Sequence, residues 1–221
     1  MKGRDPVKVV ISGTSEGIGK AIAEKFLEEG HRVYGFDLKE STITDSSYTH
    51  FVHDICSDIL PDKPEPDILI NNAGTFEEEK AIDVNLKGNI TFTEHFKDSK
   101  ALRSVLFIAS ASARNGAEFP YYSASKAGMV GYMKNLALAL ADRNITVNSI
   151  SPGGVMTESN SHIINSEELM AAVLKETLLG KWAEPREIAD LAYYLTVINR
   201  SITGEDILMD NGEMLKSNFI W

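Results

Sequence analysis

The chain alternates short apolar runs with amphipathic stretches of helical spacing, and this alternation restricts its fold more than any other feature. A strand, a helix and a second strand in succession favour parallel pairing, because a crossover returns the chain to the same end of the sheet. The runs are apolar at almost every position, which is typical of strands buried on both faces. Strand signals lie at 7–12, 31–37, 51–53, 67–71, 104–110, 145–150 and 206–210, and helical patterns at 18–29, 81–97, 121–142, 166–179 and 185–198. We expect one α/β domain, residues 1–221, with a doubly wound parallel sheet of about seven strands and helices on both faces.

Two segments stand apart from this alternation. Residues 55–66 contain Pro61, Pro64 and Pro66. Proline removes backbone donors and disfavours helix, so we expect an extended crossover there. The acidic run Glu77–Glu79 is interpreted as the solvated start of a helix or loop.

Composition excludes several classes of function. With 22 basic and 32 acidic residues the chain has a net charge of -10, which disfavours partners such as nucleic acid or an anionic membrane surface. The single cysteine, Cys56, permits neither an internal disulfide nor a thiolate zinc cluster. No membrane-spanning run or signal peptide is recognisable, so we expect a cytoplasmic protein. His50 and His53 face opposite sides of a strand and the other histidines stand alone, so no metal site is expected.

A glycine-rich loop, SGTSEGIG at 12–19, follows the first strand and opens a helix. Such a unit brings backbone N–H groups and the positive end of a helix to one point, which suits a pyrophosphate. Glycine is needed because a Cβ would block close approach of the backbone. The second strand then ends at Asp37, where a carboxylate can accept hydrogen bonds from an adenosine ribose and repel a 2′-phosphate. Glu16 adds a second negative charge, so NAD(H) is expected over NADP(H), although Lys39 could restore some phosphate binding.

The strongest chemical signal is YSASK at 122–126. Tyr122 and Lys126 are four residues apart and therefore point the same way from a helix, about 40° apart around its axis. A nearby ammonium lowers the pKa of a tyrosine, which then can exchange a proton with a carbinol oxygen. Tyr121 lies further round the helix and is the poorer candidate. A tyrosine packed in a helix beside an exposed lysine is the alternative.

Polar residues from four further segments gather at the same edge of the predicted sheet. Ser110 ends one strand, NNAG at 71–74 ends another, Asn85 lies on the helix that follows, and SPGGVMT at 151–157 follows a third strand. Ligands of open α/β sheets bind at the carboxyl ends of the strands. These residues are therefore expected to share one site.

Seven motifs in order, spanning residues 9 to 212, resemble those of the classical short-chain dehydrogenase/reductase family. They are SGTSEGIG, NNAG, the asparagine of DVNLKG, the serine that ends VLFIAS, YSASK, SPGGVMT and ITGEDILMDNG. The resemblance implies a Rossmann-type fold and an NAD(P)-dependent oxidoreductase that transfers a hydride reversibly between NAD(H) and a secondary alcohol or ketone. A sensor of NAD(H) without turnover, and an epimerase or dehydratase on the same fold, are the alternatives.

The resemblance also implies roles for single residues. Tyr122 would be the general acid/base, Lys126 would bind the nicotinamide ribose and lower the pKa of Tyr122, Ser110 would hydrogen-bond the substrate oxygen, and Asn85 would hold a water that links Lys126 to solvent. Asp37 would bind the adenosine ribose, and Asp54 and Ile55 the adenine. The other expected cofactor-binding residues are Gly13, Ser15, Glu16, Gly17, Ile18, Gly19, Asn72, Ala73, Gly74, Pro152, Gly153, Val155 and Thr157, together with Tyr122 and Lys126.

The sequence departs from the family pattern in three places. Ser12 stands where the family usually has threonine. The spacing from serine to tyrosine is one residue short, which leaves Ser112 as a competitor of Ser110, with Ser110 preferred for its place at the strand end. The segments 55–66 and 74–83 are shortened, which predicts a more open pocket.

Specificity is expected to come from a lid over about 157–182, in which Met170 and Leu174 serve either core packing or the pocket wall. The carbonyl or alcohol substrate itself is not identified by the sequence. The resemblance implies a homodimer or homotetramer. The small residues Ala124, Ala127, Gly128 and Gly131 suit either close approach of a second copy or internal packing on the sheet.

Overall fold

In the computed structural model, which describes residues 5–57, 64–117 and 119–216, seven parallel strands form one sheet. Their order is β3-β2-β1-β4-β5-β6-β7, so the direction of winding reverses between β1 and β4. Ligands of such sheets bind at this reversal, beyond the carboxyl ends of the strands. The strands are β1 Lys8–Ser12, β2 Arg32–Asp37, β3 Tyr48–Val52, β4 Ile68–Asn71, β5 Ser104–Ile108, β6 Thr146–Pro152 and β7 Asp206–Met209. The predicted α/β fold with a doubly wound parallel sheet is confirmed.

Eight α-helices surround the sheet in the described residues. They are α1 Gly17–Glu28, α2 Glu78–Ala81, α3 Asn89–Phe96, α4 Ser112–Asn115, α5 Pro120–Ala139, α6 Ser161–Ile164, α7 Glu167–Lys175 and α8 Pro185–Tyr193. Two π-helical segments interrupt the regular pattern, Ile82–Gly88 between α2 and α3 and Tyr194–Ile198 after α8. Short 3₁₀ turns lie at Ala141–Arg143, Glu158–Asn160 and Glu213–Leu215.

The sheet separates two apolar clusters, because successive side chains of a strand point to opposite faces. On β1, Val9 and Ile11 pack in the cluster that also holds Phe26 of α1 and Ile188 of α8. Val10 packs in the other cluster, with residues of α3 and α5. All three strand residues are fully buried. Helices therefore cover both faces, and the loops at the sheet edge remain open for a ligand.

Several element boundaries differ from the sequence prediction. The strand predicted at 104–110 ends at Ile108, so Ser110 lies in the loop beyond it. The third strand is longer than predicted, and the helix predicted at 121–142 ends at Ala139 before a 3₁₀ turn. Of the crossover predicted at 55–66, residues 58–63 lie outside the described residues, and residues 64–66 have no regular structure. None of the helices in the described ranges is long and apolar enough to cross a membrane.

Candidate active site

A cavity of about 900 Å³ opens at the carboxyl edge of the sheet, where the loops after β1, β2, β4, β5 and β6 converge. Most of the residues predicted from the sequence line it. They are Gly13, Glu16, Gly17, Ile18, Asp37, Asp54, Ile55, Asn72, Ala73, Gly74, Ser110, Tyr122, Lys126, Pro152, Gly153, Val155 and Thr157. Ser15, Gly19 and Asn85 are not among the lining residues, and each instead contacts a residue that forms the wall.

The glycine-rich loop lies directly against the end of β4. Gly13 has a φ of +74°, and a Cβ on it would lie 2.9 Å from Cα of Ala73. A Cβ on Gly19 would lie 1.8 Å from the carbonyl oxygen of Gly13. Asn72 Nδ2 donates to that same carbonyl oxygen at 2.9 Å, so β1 and β4 are joined where the sheet reverses. The backbone comes this close only because side chains are missing at these two positions.

Ser12, where the family usually has threonine, keeps a structural role. Its Oγ accepts hydrogen bonds from the backbone N–H of Asn72 at 3.0 Å and of Ala73 at 3.1 Å. The hydroxyl is what these contacts require, and serine supplies it as threonine would.

The far end of the cavity, beyond β2, is acidic. Asp37 accepts a hydrogen bond from the backbone N–H of Ser15 at 2.9 Å and another from that of Lys39 at 3.0 Å. The ammonium of Lys39 lies 2.8 Å from both carboxylate oxygens of Glu16, and this pairing raises the pKa of Lys39. The one cation close to Asp37 in this part of the described chain is therefore already paired.

Tyr122 and Lys126 lie on the first turns of α5, and both are buried. Lys126 Nζ is 5.8 Å from the centroid of the Tyr122 ring and donates to the carbonyl oxygen of Ile108 at 2.9 Å. Burial lowers the pKa of Lys126 to about 8. Phe76 stacks on the Tyr122 ring, with centroids 4.9 Å apart. The predicted pair thus shares one wall of the cavity.

Asn85 is buried in the first π-helical segment. Its Oδ1 accepts from the N–H of Thr75 at 2.7 Å, and its Nδ2 donates to the carbonyl oxygen of Thr75 at 2.9 Å and to Ser125 Oγ at 3.1 Å. Ser125 Oγ in turn donates to the carbonyl oxygen of Tyr122 at 2.7 Å. π-helical turns are uncommon and often occur at functional sites.

Ser110 and Ser112 lie side by side in the cavity wall, and their hydrogen bonds distinguish them. Ser110 Oγ accepts from Ser112 Oγ at 2.8 Å and from the backbone N–H of Ser112 at 3.2 Å. Ser110 therefore retains its own hydroxyl hydrogen for a further acceptor, whereas the hydroxyl hydrogen of Ser112 is already donated to Ser110. Ser112 is buried and Ser110 is half-buried.

Some lining residues were missed by the sequence analysis. They include Phe76, and also Trp182, whose indole lies against Gly154, where a Cβ would lie 2.1 Å from the ring. The aromatic residue two positions after NNAG was the available signal. From the predicted lid, Ile163 and Val173 line the cavity, whereas Met170 and Leu174 are half-buried and are not among the lining residues.

Both ring nitrogens of His50 have partners within the protein. His50 interacts through Nδ1 with the Tyr48 hydroxyl at 2.9 Å and through Nε2 with the carbonyl oxygen of Lys39 at 2.9 Å. Within residues 5–57, 64–117 and 119–216, no group of three or more His, Cys, Asp or Glu side chains could hold a metal ion.

Comparisons with known proteins cover almost the whole chain. The family model described as enoyl-(acyl carrier protein) reductase matches residues 13–213. L-rhamnose 1-dehydrogenase (NADP(+)) of Thermoplasma acidophilum is 27% identical, over 93% of this chain and 95% of the relative. The 3-oxoacyl-[acyl-carrier-protein] reductase FabG of Vibrio cholerae is 30% identical, over 92% and 95%.

A solved structure of a 4-hydroxyisoleucine dehydrogenase mutant with NADH and succinate superposes with a TM-score of 0.86 at 28% identity, covering 96% of this chain and 100% of that one. The family match, the relatives and this structure agree with the seven motifs and with the order of the strands. The chain belongs to the short-chain dehydrogenase/reductase family of NAD(P)-dependent oxidoreductases.

Proposed function

We propose that the protein interconverts a secondary alcohol and its ketone with NAD(H), and that Tyr122 is the general acid/base. The observation that carries this proposal is the grouping of Tyr122, Lys126 and Ser110 on one wall of a cavity that also reaches the glycine-rich loop. When bound, the nicotinamide would donate or accept the hydride. The chain itself has to hold the reactants and move one proton.

The cavity fits a dinucleotide. Gly13 and Gly19 let the loop pack closely against β4 and α1, and Gly13, Gly17 and Ile18 line the cavity at the start of α1. No side chain caps the first turn of this helix, which suits the binding of a pyrophosphate. Asp37 and Asp54 with Ile55 would hold the adenosine end, and Pro152, Gly153, Val155 and Thr157 the nicotinamide end. All of these residues line the cavity.

NAD(H) is proposed over NADP(H) on electrostatic grounds. A 2′-phosphate beside Asp37 would meet a carboxylate, and Lys39, the nearby cation, is paired with Glu16. The relative from Thermoplasma acidophilum is named for NADP(+), whereas the 4-hydroxyisoleucine dehydrogenase structure contains NADH. The charges of this chain therefore support the proposal more directly than its relatives do.

The proposed chemistry assigns one task to each side chain. Ser110 donates its free hydroxyl hydrogen to the substrate oxygen, where negative charge develops. Tyr122 gives its phenolic proton to that oxygen during reduction and takes it back during oxidation. Lys126 stabilises the phenolate, and Asn85 fixes Thr75 and Ser125 around it.

We also propose that the whole chain is one domain, that it acts in the cytoplasm and that it assembles into a homodimer or homotetramer. On α5, Gly128 packs internally against Leu86, whereas Ala124, Ala127 and Gly131 are exposed or make no close contact. A face of small, exposed residues on a long helix supports assembly with a second copy. The substrate is proposed to be a small carbonyl compound or alcohol.

The test follows NADH oxidation by the loss of nicotinamide absorbance, with a panel of ketones, keto sugars and 3-oxoacyl thioesters. A parallel series uses NADPH, and Tyr122→Phe is the inactive control, with Tyr121→Phe as its matched neighbour. We expect turnover that prefers NADH, survives in Tyr121→Phe and falls by at least about 100-fold in Tyr122→Phe. Bound but unconsumed NADH would favour a sensor, and product without net NADH change would favour an epimerase or dehydratase.

A further inference from the structure

The short chain from the end of β4 to the first residue of α2, Glu78, reaches the start of the helix that carries Tyr122. Glu78 Oε2 accepts from the backbone N–H of Tyr121 at 3.0 Å, and Glu78 Oε1 accepts from that of Tyr122 at 3.0 Å. α5 begins at Pro120, which has no N–H, and the residue before it, Phe119, provides no side-chain cap. A carboxylate from another helix therefore satisfies the first two free N–H groups of α5.

The burial of the acidic run agrees with this role. Glu78 is half-buried, whereas Glu77 and Glu79 on either side are exposed. The run was interpreted from the sequence as a solvated surface, and that interpretation fits its first and third members. It is wrong for Glu78, because both oxygens of this carboxylate point to the backbone of α5.

The same segment holds Tyr122 at other points. Phe76 stacks on the phenol ring, and Asn85 binds the backbone of Thr75 through both its N–H and its carbonyl oxygen. On the other side, Ser125 Oγ donates to the carbonyl oxygen of Tyr122. The backbone N–H of Tyr122, its ring and its carbonyl oxygen are thus each fixed by a separate contact.

We propose that Glu78 is a positioning residue for proton transfer, whose carboxylate caps α5 and fixes the orientation of the Tyr122 phenol in the cavity. The proposal rests on the proposed role of Tyr122 as acid/base. It also has an electrostatic consequence. A negative charge at the first turn of α5 offsets the positive end of that helix and disfavours the phenolate of Tyr122.

Other charged groups near this junction are largely paired among themselves. Lys80 binds Glu77 at 2.7 Å, Lys87 binds Asp83 at 2.7 Å, and Arg114 of α4 binds Asp206 at 2.8 Å. In the described part of the chain, the other charged side chains on the elements around Tyr122 and Glu78 are Glu77, Glu79, Lys80, Asp83, Lys87, Arg114, Lys126 and, further along α5, Lys134. Among the described acidic residues of these elements, Glu78 is the one recorded with hydrogen bonds to the backbone of α5.

The test compares Glu78→Gln with the matched control Glu79→Gln. In Glu78→Gln we expect kcat to fall about tenfold with the KM for NADH unchanged, because the substitution disturbs the orientation of the Tyr122 phenol and not the binding of the cofactor. The limb of the pH–rate profile that reflects ionisation of Tyr122 is expected to move to lower pH, because the variant lacks the negative charge at the start of α5. Glu79→Gln is expected to keep the wild-type kcat and pH profile.

A second readout does not depend on turnover. Ionisation of the Tyr122 phenol is measured by ultraviolet difference titration of each protein against its Tyr122→Phe counterpart. Absence of turnover in the wild type would contradict the proposed function, and this titration would still decide the role of Glu78. A Tyr122 titration and pH profile unchanged in Glu78→Gln would overturn the proposal.

If Glu78→Gln does not fold, both readouts are taken on Glu78→Asp, which keeps the charge at a shorter reach. In Glu78→Asp we expect kcat to fall, whereas the pH–rate profile and the titration of Tyr122 keep their wild-type positions. A wild-type kcat in Glu78→Asp would also overturn the proposal.

Discussion

Lys126 keeps its ammonium group in a part of the fold that is almost closed to water. Its side chain is buried, and burial lowers its pKa from 10.5 to about 8. Below pH 8 the lysine is protonated in the folded and the unfolded chain, so the folded state bears the cost of the buried charge. Between pH 8 and 10.5 only the unfolded chain still holds the proton, so the free energy of unfolding rises with pH.

This linkage predicts the behaviour of Lys126→Met. Below pH 8 its free energy of unfolding is expected to exceed that of the wild type by up to about 3 kcal/mol. The excess should shrink to nothing as the pH approaches 10.5, while activity is lost at every pH. Denaturant unfolding over this pH range measures it, with Lys134→Met, an exposed position on the same helix, as control. A difference that does not change with pH would contradict the lowered pKa.

Single residues were predictable where their partners are close in sequence. Helical spacing places Tyr122 and Lys126 on the same side of α5, and the motifs that converge on the same sheet edge favoured them as a reactive pair, while Asp37 follows from its place at the end of β2. The pairing of Lys39 with Glu16 could not be predicted in the same way, because the partners lie on different loops that only the folded sheet brings together. The contact of Glu78 with α5 was missed for the same reason.

The glycine-rich loop and α1 act as one element, and a prediction follows from how closely they approach. Gly19→Ala would place a Cβ 1.8 Å from the carbonyl oxygen of Gly13, so loop and helix must separate. We expect NADH affinity to fall by more than about tenfold, and stability by about 2 kcal/mol. Fluorescence titration and denaturant unfolding measure these changes. Glu24→Ala, exposed on the same helix, is expected to leave NADH affinity unchanged, and wild-type affinity in Gly19→Ala would contradict the close approach.

Elements were predicted more accurately than their ends and irregularities. Apolar runs locate the strands because burial on both faces imposes a continuous pattern. The same periodicity cannot distinguish a π-helical turn from an α-helical one, so the segment around Asn85 was read as ordinary helix. The strand predicted to reach Ser110 ends at Ile108, which forms the last pair with β6. The prediction extended too far because the apolar Ala109 continues the pattern of the strand in the sequence.

At the scale of the molecule, the parallel sheet explains why residues from distant segments share one cavity. Every strand in the sheet ends at the same edge, so the polar residues that follow β1, β2, β4, β5 and β6 converge without any sequence proximity. This consequence of topology is what made the cavity predictable. No comparable topological rule predicts which faces of the outer helices are exposed, so these faces are known only from the structure.

The outward face of α5 is where we expect a second copy to bind. Ala127 and Gly131 are exposed there, and Leu138 on the same helix has 79% of its surface exposed. Small residues allow a second helix to approach closely, and burial of an exposed leucine against a second copy stabilises the assembly.

Sedimentation equilibrium is expected to give a dimer or tetramer for the wild type. Leu138→Lys should weaken assembly by at least about tenfold, because it would bury an unpaired ammonium. Leu169→Lys, on α7, serves as the control and is expected to assemble normally. A monomeric wild type would contradict assembly altogether, and an unchanged mass for Leu138→Lys would show that α5 is not the surface used.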